Sequence, residues 1–481
     1  MCARGGGHTV FVPLGVIMTR RYQTGQMTVY VLVMLFAVAA AVYFVYDAYN
    51  ISNEKTRLQS TADAAAYSVA AVEARNLNIQ AYSNRAMIAN HVAVAQAVTL
   101  VSWTRWLHNT TRNISLVTKW IPYLGQAMTA VERVLDQSAT VIEQAMRLAV
   151  TGLDGVIALI SGLQDFTHVE TLALARQVFE EVVEENDPQV DTAYTLTSLA
   201  SFANAHTAMV GRYSPDRAYR YRGRRADQEA RARSDEFRNI LLESRDNFTV
   251  ERNGNLDVID LFGLFEVKIR KRGGTELART RQREGPYYTW SAVDTLSVHT
   301  WTLHWDGIDH SEIPIGWGAA QSAQSNTRRL YNLNGIHRDE GYWKDNRTAS
   351  RLAGTEYRTS RVMHNYRGMR RFSALKKDGV LNKGPGIIIT LTKPSGSQGV
   401  ETATDITGAE KRMKFGDQRS FLKDRMASIS KARVEFHYPN DLFPRADGRR
   451  EYGNLYNPYW QPSLAALTRA ERLIALGELG L

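Results

Sequence analysis

The sequence predicts an α+β fold carried on a single N-terminal transmembrane helix. Three features point there: an uncharged run of twenty residues, Met27–Tyr46; a helical repeat of apolar positions that continues to about Tyr213; and a switch to two-residue alternation beyond Asn247. In chain order this gives a leader (1–26), a span (27–46), an amphipathic helical stalk (47–106) and a helical region (107–246) with an arginine-rich linker at 212–245. A β-rich domain (247–440) and a C-terminal turn and helix (441–481) complete it. With 481 residues, 44% hydrophobic and 22% charged, the chain can form several cores of its own, and its composition allows one span rather than many. The only cysteine is Cys2, so no intramolecular disulfide forms.

The first seventeen residues, MCARGGGHTVFVPLGVI, resemble neither a targeting leader nor a domain, and Met18 directly before TRRYQTGQ is the expected start. Arg20 and Arg21 then form a short basic tail that favours the cytoplasmic side. Twenty helical residues match a hydrocarbon core of about 30 Å. Tyr43, Phe44, Tyr46 and Tyr49 fall where an outer aromatic belt would sit, so the topology is N-in and C-out. Ala37–Ala39 resembles a signal-peptidase site, but Ala40–Tyr46 stays apolar where a cleaved signal turns polar, so the segment is expected to remain as an anchor. A second apolar run, Leu148–Leu163, carries Asp154 and three glycines; it is short for a span and reads as a buried helix.

From Ile51 to Trp106 there is no proline or glycine, so helix continues out of the span. Ile51, Leu58, Ala62, Ala65, Val69 and Val72 form one apolar stripe. An unbroken helix of that length predicts a kink somewhere along it. Asn76, Ser83 and Asn90 recur at intervals of seven on the line of Ala62 and Val69, the spacing of a polar seam that sets the register of a partner helix; a solvated helix edge is the simpler reading.

GQMTVY before the span and TRLQSTADAAAYSVAAVEARNLNIQ after it make residues 25–103 similar to the TadG-like group of Flp (tight adherence) pilus-assembly proteins. The shared residues are Gly25, Gln26, Arg57, Leu58, Gln59, Ala62, Asp63, Ala64, Ala65 and Ala66. RGGTEL, IGWGAA and YNPYW resemble phrases of a longer subgroup. The resemblance implies a bacterial inner-membrane protein, single-pass, with its bulk in the periplasm. Its partners would be other pilus-assembly or pilin-like membrane proteins, with a homo-oligomer as a further option. Two departures limit what carries over. The metal site of the family's integrin-like domain begins D-x-S-x-S, and the nearest approach, Asp136–Thr140, lies in a helical pattern. Five residues past Gly25 stands Tyr30 instead of the glutamate of type IV prepilins, so cleavage after Gly25 is not expected.

Ile121, Leu124, Met128, Val131 and Leu135 share one face, continued by Ile142 and Met146, and are expected to pack on the stalk. Arginines crowd between Arg212 and Arg245 with six acidic residues among them, a salt-bridged surface and not a nucleic-acid site. Phe265–Arg270, His299–Trp305, Ile387–Thr392 and Arg433–Tyr438 alternate as strands. His299, His304 and His310 with Asp306 and Asp309 suggest a metal, but His299 and His304 differ by an odd number and face opposite ways on a strand; no metal and no cofactor is expected. G-x-S-x-G is missing, and scattered carboxylates such as Asp294 and Glu312 would have to meet in three dimensions to act as acid and base, with surface solvation as the default reading. Leu464, Leu467, Leu473 and Leu476 would seat a final helix. The expected function is a non-catalytic assembly component; the alternative is a membrane-tethered periplasmic hydrolase.

Overall fold

A computed structural model describes residues 24–192, 195–215, 225–261, 264–279, 288–305, 307–323, 346–359, 365–376, 383–394, 425–439 and 442–478. Met18, Arg20, Arg21, Asp306 and the 216–224 part of the arginine-rich linker lie outside the described residues.

Helix α1, Thr24–Thr118, is unbroken for 95 residues, a rod of about 140 Å. Between Met27 and Thr118 there is neither glycine nor proline, so every backbone N–H can reach its partner one turn back. The helix also runs twelve residues beyond the expected limit at 106. Pro122 follows in the turn, and Tyr123 takes a positive φ of 64°, where the chain reverses. Helix α2, Leu124–Asn186, then runs back antiparallel: Gln80 meets Gln164 and Arg57 meets Asn186.

Helix α3 (Thr195–Met209) leads into strand β1 (Val210–Tyr213), the first departure from the helical reading. Helices α4 (Arg225–Glu243) and α5 (Asn247–Val250) precede β2 (Gly254–Asp260), β3 (Phe265–Arg279), β4 (Tyr288–His304) and β5 (Gly307–Gln321). These four strands form an antiparallel sheet in chain order. Helix α6 (Arg347–Thr359) is followed by β6 (Phe372–Leu375), which pairs with β1. Strands β7 (Lys383–Pro394), β8 (Arg425–Phe436) and β9 (Trp460–Leu464) form a third antiparallel sheet, and helix α7 (Arg469–Glu478) ends the described chain.

Two cores are strung along α1. The first surrounds Leu58–Leu77 with Phe179 and Val183 of α2, Phe202 of α3, and Ile387, Ile389, Val434 and Trp460 of the third sheet. The second surrounds Met87–Val101 with Ile157 of α2, Phe237 of α4, and Trp290, Tyr366 and Phe372. The stalk is therefore the axis of the fold and not a free extension.

Other expectations change with burial. The Leu148–Leu163 helix is buried on one side only: Val150 and Ile157 are enclosed, whereas Leu148 and Leu159 are about three-quarters exposed at 74% and 75%. Leu124 and Val131 also point outward instead of onto α1. The apolar side of His299–Trp305 emerges at the sheet's tip, where Leu303 and Trp305 are exposed. Leu464 lies in β9, not a helix, and Leu473 is exposed while Ala475 seats α7; the side chain of Leu476 is outside the described set.

Candidate functional site: the spine helix and what docks on it

Met27–Tyr46 of α1 is long and apolar enough to cross a membrane, and its side chains are exposed save the half-covered Ala40. Gly25 and Gln26 lie in the first turn of this helix. Helix α2 meets the same length and composition test, but one side of it is packed into the fold.

Where α1 meets the rest of the chain, the alanine segment explains the contact. Leu58, Ala62, Ala65 and Ala66 are completely buried, and Ala64 is half-buried. Side chains this small bring the α1 backbone close to α2 and to the third sheet, whose Ile387, Ile389 and Val434 share the same core. The polar residues of the segment tie its margins. Arg57 donates to the last carbonyl of α2, that of Asn186, from Nη2 at 2.8 Å and Nε at 3.3 Å, and its charge suits the negative end of that helix. Gln59 donates to Asp63 at 2.9 Å and accepts from Ser428 of β8. Close by, Lys393 of β7 donates to Glu54 at 2.6 Å and Asp187 at 3.0 Å, and Arg425 pairs with Asp191 at 2.9 Å. Burial works against the charge on Lys393, yet the two carboxylates hold its proton and raise its pKa.

Further out, α1 offers polar side chains to backbone groups of the sheets. Asn78 both donates to and accepts from the backbone of Trp460 in β9, at 2.9 and 3.0 Å. Asn84 donates to the carbonyls of Ser373 and Leu455, each at 2.7 Å. Arg105, Asn109 and Asn113 donate to the carbonyls of Ala319, Trp317 and Ile315 at 2.9, 2.8 and 2.8 Å, so helix side chains bind three carbonyls along the open edge of β5. The glycines of IGWGAA permit this approach. A Cβ at Gly318 would stand 2.2 Å from the Ser102 carbonyl oxygen, and one at Gly316 would stand 1.8 Å from Thr110 Oγ1.

Asn76 and Ser83 are buried within this docking surface, and Gln80 donates to Asn76 Oδ1 at 3.4 Å. Asn90 is half-buried and bonds back to the Ala86 carbonyl at 2.8 Å. The chain's own elements cover Asn76 and Ser83. The residues that tie α1 to the backbone of the sheets are Asn78, Asn84, Asn109 and Asn113. Their signal in the sequence was asparagine recurring inside a helix, where its propensity is poor.

The carboxylate pair does not assemble. Asp294 is fully buried and held by Arg252 at 2.8 Å, Lys271 at 2.6 Å and Ser102 at 2.7 Å. Burial alone would raise its pKa, but the two cations drive it far below the usual carboxylate range. Glu312 instead accepts from the backbone N–H groups of Thr348 and Ala349 at 2.7 and 3.1 Å, capping α6. His299 bonds His310 at 2.8 Å and Asn346 at 2.9 Å, while His304 lies exposed. Among the described residues no three His, Cys, Asp or Glu side chains converge as ligands.

Two further buried groups escaped sequence reasoning. Glu73 and His206 meet at 2.7 Å with both side chains fully enclosed. Burial raises the pKa of Glu73; it opposes charge on His206, but the Glu73 contact outweighs it and His206 is raised as well. His91 bonds the Tyr366 hydroxyl at 2.8 Å, and burial lowers its pKa to about 3. Within the 212–245 segment, Arg212 holds Asp165 at 2.7 Å and Arg238 holds Glu276 at 2.8 Å. An open groove of about 570 Å³ runs between α1, α4 and the C-terminal segment; its polar lining is Arg85, Gln96, Ser244, Tyr456 and Asn457, with neither carboxylate nor histidine.

Residues 25–72 match the family model for Flp pilus-assembly TadE/G-like proteins. The match covers the span and the buried alanine segment and ends at Val72, inside the first core. No curated protein and no solved structure matches the chain.

Proposed function

We propose that the chain is a non-catalytic, inner-membrane-anchored component of a Flp/Tad-type pilus assembly system, its N-terminus cytoplasmic and its bulk periplasmic. The TadE/G-like segment suggests the pilus-assembly role. The observation that carries the mechanism is the continuity of α1, which joins an exposed apolar span to the axis of two cores with no hinge residue between them. Force or displacement on the outer domain is then transmitted to the bilayer by one rod, and the domain presents its surface to other pilus-assembly or pilin-like membrane proteins. The groove, lined by Ile88, Ala89, Val92 and Ile240 beside Arg85, Gln96, Ser244, Tyr456 and Asn457, offers neither carboxylate nor histidine for the chemistry of a hydrolase.

Deletion of the gene and complementation test this reading. Cells without the chain are expected to lose surface pili, and the full chain to restore them. Arg85→Ala, Ser244→Ala and Tyr456→Phe are expected to restore them equally. Normal piliation in the deletion strain would refute the assembly role; loss of function in a stably folded groove variant would favour the hydrolase.

A further inference from the structure

Helix α2 is apolar on two sides, one packed into the fold and one outward. Its buried side carries Asp154, Ser161, Gln164 and Thr171 among Val150, Ile157 and Ala175. Its outward side carries Val134 at 62% exposure, Leu148 at 74%, Leu159 at 75%, Phe166 at 62% and Val169 at 71%. These outward positions follow a strict alternation of three and four: Leu124, Ala127, Val131, Val134, Ser138, Val141, Ala145, then Leu148, Gly152, Gly155, Leu159, Gly162, Phe166, Val169 and Ala173. That is the a/d pattern of a coiled coil, continued over seven heptads without one charged side chain. Apart from the half-buried Ser138 these positions are exposed, and an uncharged surface of this length is not what water-facing helices show.

We infer that this face seats α2 of a second copy of the same chain, in a parallel, in-register two-stranded coiled coil. The inference rests on the membrane anchoring proposed above. Copies inserted in one bilayer by the same α1 share one orientation, so their α2 helices are parallel and level, and each heptad position meets its own counterpart about a two-fold axis along the membrane normal. The occupant must be uncharged, helical and spaced at three and four residues over the same length. Among the described residues the one surface of that kind outside the span is α2 itself. Its flanking positions are uncharged from Met128 to Leu163; in the last two heptads Asp165 would face Glu170 of the other copy, and Arg212 and Arg371 beside Asp165 offset that like-charge pair. From Leu124 to Ala173 the face is about 74 Å long, and at about 10 Å wide it offers roughly 700 Å² per copy, close to the 800 Å² of a standard stable interface. Lipid does not reach it: Gln164 is level with Gln80 and Asn84, some 50 Å beyond the end of the span.

The test is cysteine crosslinking of the full chain in native membranes, with Cys2→Ser as background. Val141→Cys, Leu148→Cys, Leu159→Cys and Phe166→Cys are expected to give disulfide-linked homodimers, while Thr140→Cys and Arg147→Cys, beside the stripe, give several-fold less. Leu148→Glu with Leu159→Glu, both at exposed sites, is expected to abolish crosslinking from Val141→Cys without changing the circular dichroism. Equal crosslinking on and off the stripe, crosslinking to a different protein instead of to itself, or none at all would overturn the inference. Alkaline carbonate extraction of the same membranes separates the two readings. A chain that resists extraction but does not crosslink loses only the dimer; a chain that is extracted loses the anchor as well.

Discussion

At the scale of single residues, buried charge and buried imidazole set measurable demands. Asp294 answers to both Arg252 and Lys271, and Asp294→Ala would leave two cations facing each other in the interior. Removing one partner of such a group costs about 3–5 kcal/mol, which urea unfolding of the full chain in detergent reads directly; a loss under 1 kcal/mol would contradict the arrangement. The histidines predict a pH dependence with two limbs. Burial lowers His91 to about 3 and His168 to about 4, so between those values and the unfolded pKa near 6.5 the unfolded chain binds protons that the folded chain does not. Stability is therefore complete above pH 6.5 and falls as pH drops, by about 1.4 kcal/mol per pH unit for the enclosed His91 and by less for His168, which solvent partly screens. His206, raised through Glu73, works the other way: its contribution is present below 6.5 and lost as pH rises through its folded pKa. Thermal unfolding across pH 4–8 should show a maximum near neutrality, and His91→Gln should flatten the acid limb. None of this was legible in the sequence, because a histidine or aspartate in a string of letters does not reveal which face of its helix or strand is covered.

At the scale of elements, period explains what could be read and what could not. The strands at Phe265, Ile387 and Arg433 announce themselves by alternation, and β8 buries every second residue from Ser428 to Phe436. Strands β1 and β9 are four and five residues long, too short for alternation to stand out against their helical neighbours. The outward face of α2 was misread because periodicity finds two apolar stripes on that helix without saying which one the fold covers. Glycine gives the sharpest test of the docking geometry. Gly318→Ala places a methyl against the Ser102 carbonyl and the Trp106 nitrogen, at 2.2 and 2.4 Å, and backbone cannot yield as a side chain can. We expect a loss of about 1–3 kcal/mol or more, with faster hydrogen exchange along β5. Gly354→Ala, where a Cβ in helix α6 meets nothing within 4 Å, should instead stabilise by about 1 kcal/mol.

At the scale of the whole molecule, the apolar N-terminal segment and its helical continuation were evident from twenty uncharged residues and a proline-free, glycine-free extension. That the extension is the axis of the chain's own fold was not. An amphipathic stripe of Leu58, Ala62, Ala65 and Val69 looks the same whether a neighbouring subunit or a distant β-sheet will cover it. The alanines that make residues 25–72 similar to the TadE/G-like family thus serve an internal contact first, between the rod and the sheet it carries. The central claim is that bilayer span and outer cores share one uninterrupted helix. It is tested most directly by the distance between spin labels at Tyr46→Cys and Arg75→Cys, in the Cys2→Ser chain in nanodiscs, diluted with unlabelled chain. A continuous helix places the labelled backbones about 44 Å apart with a single narrow distribution. A broad distribution, or one centred well below that distance, would mean a hinge between the membrane and Leu58 and would contradict the account.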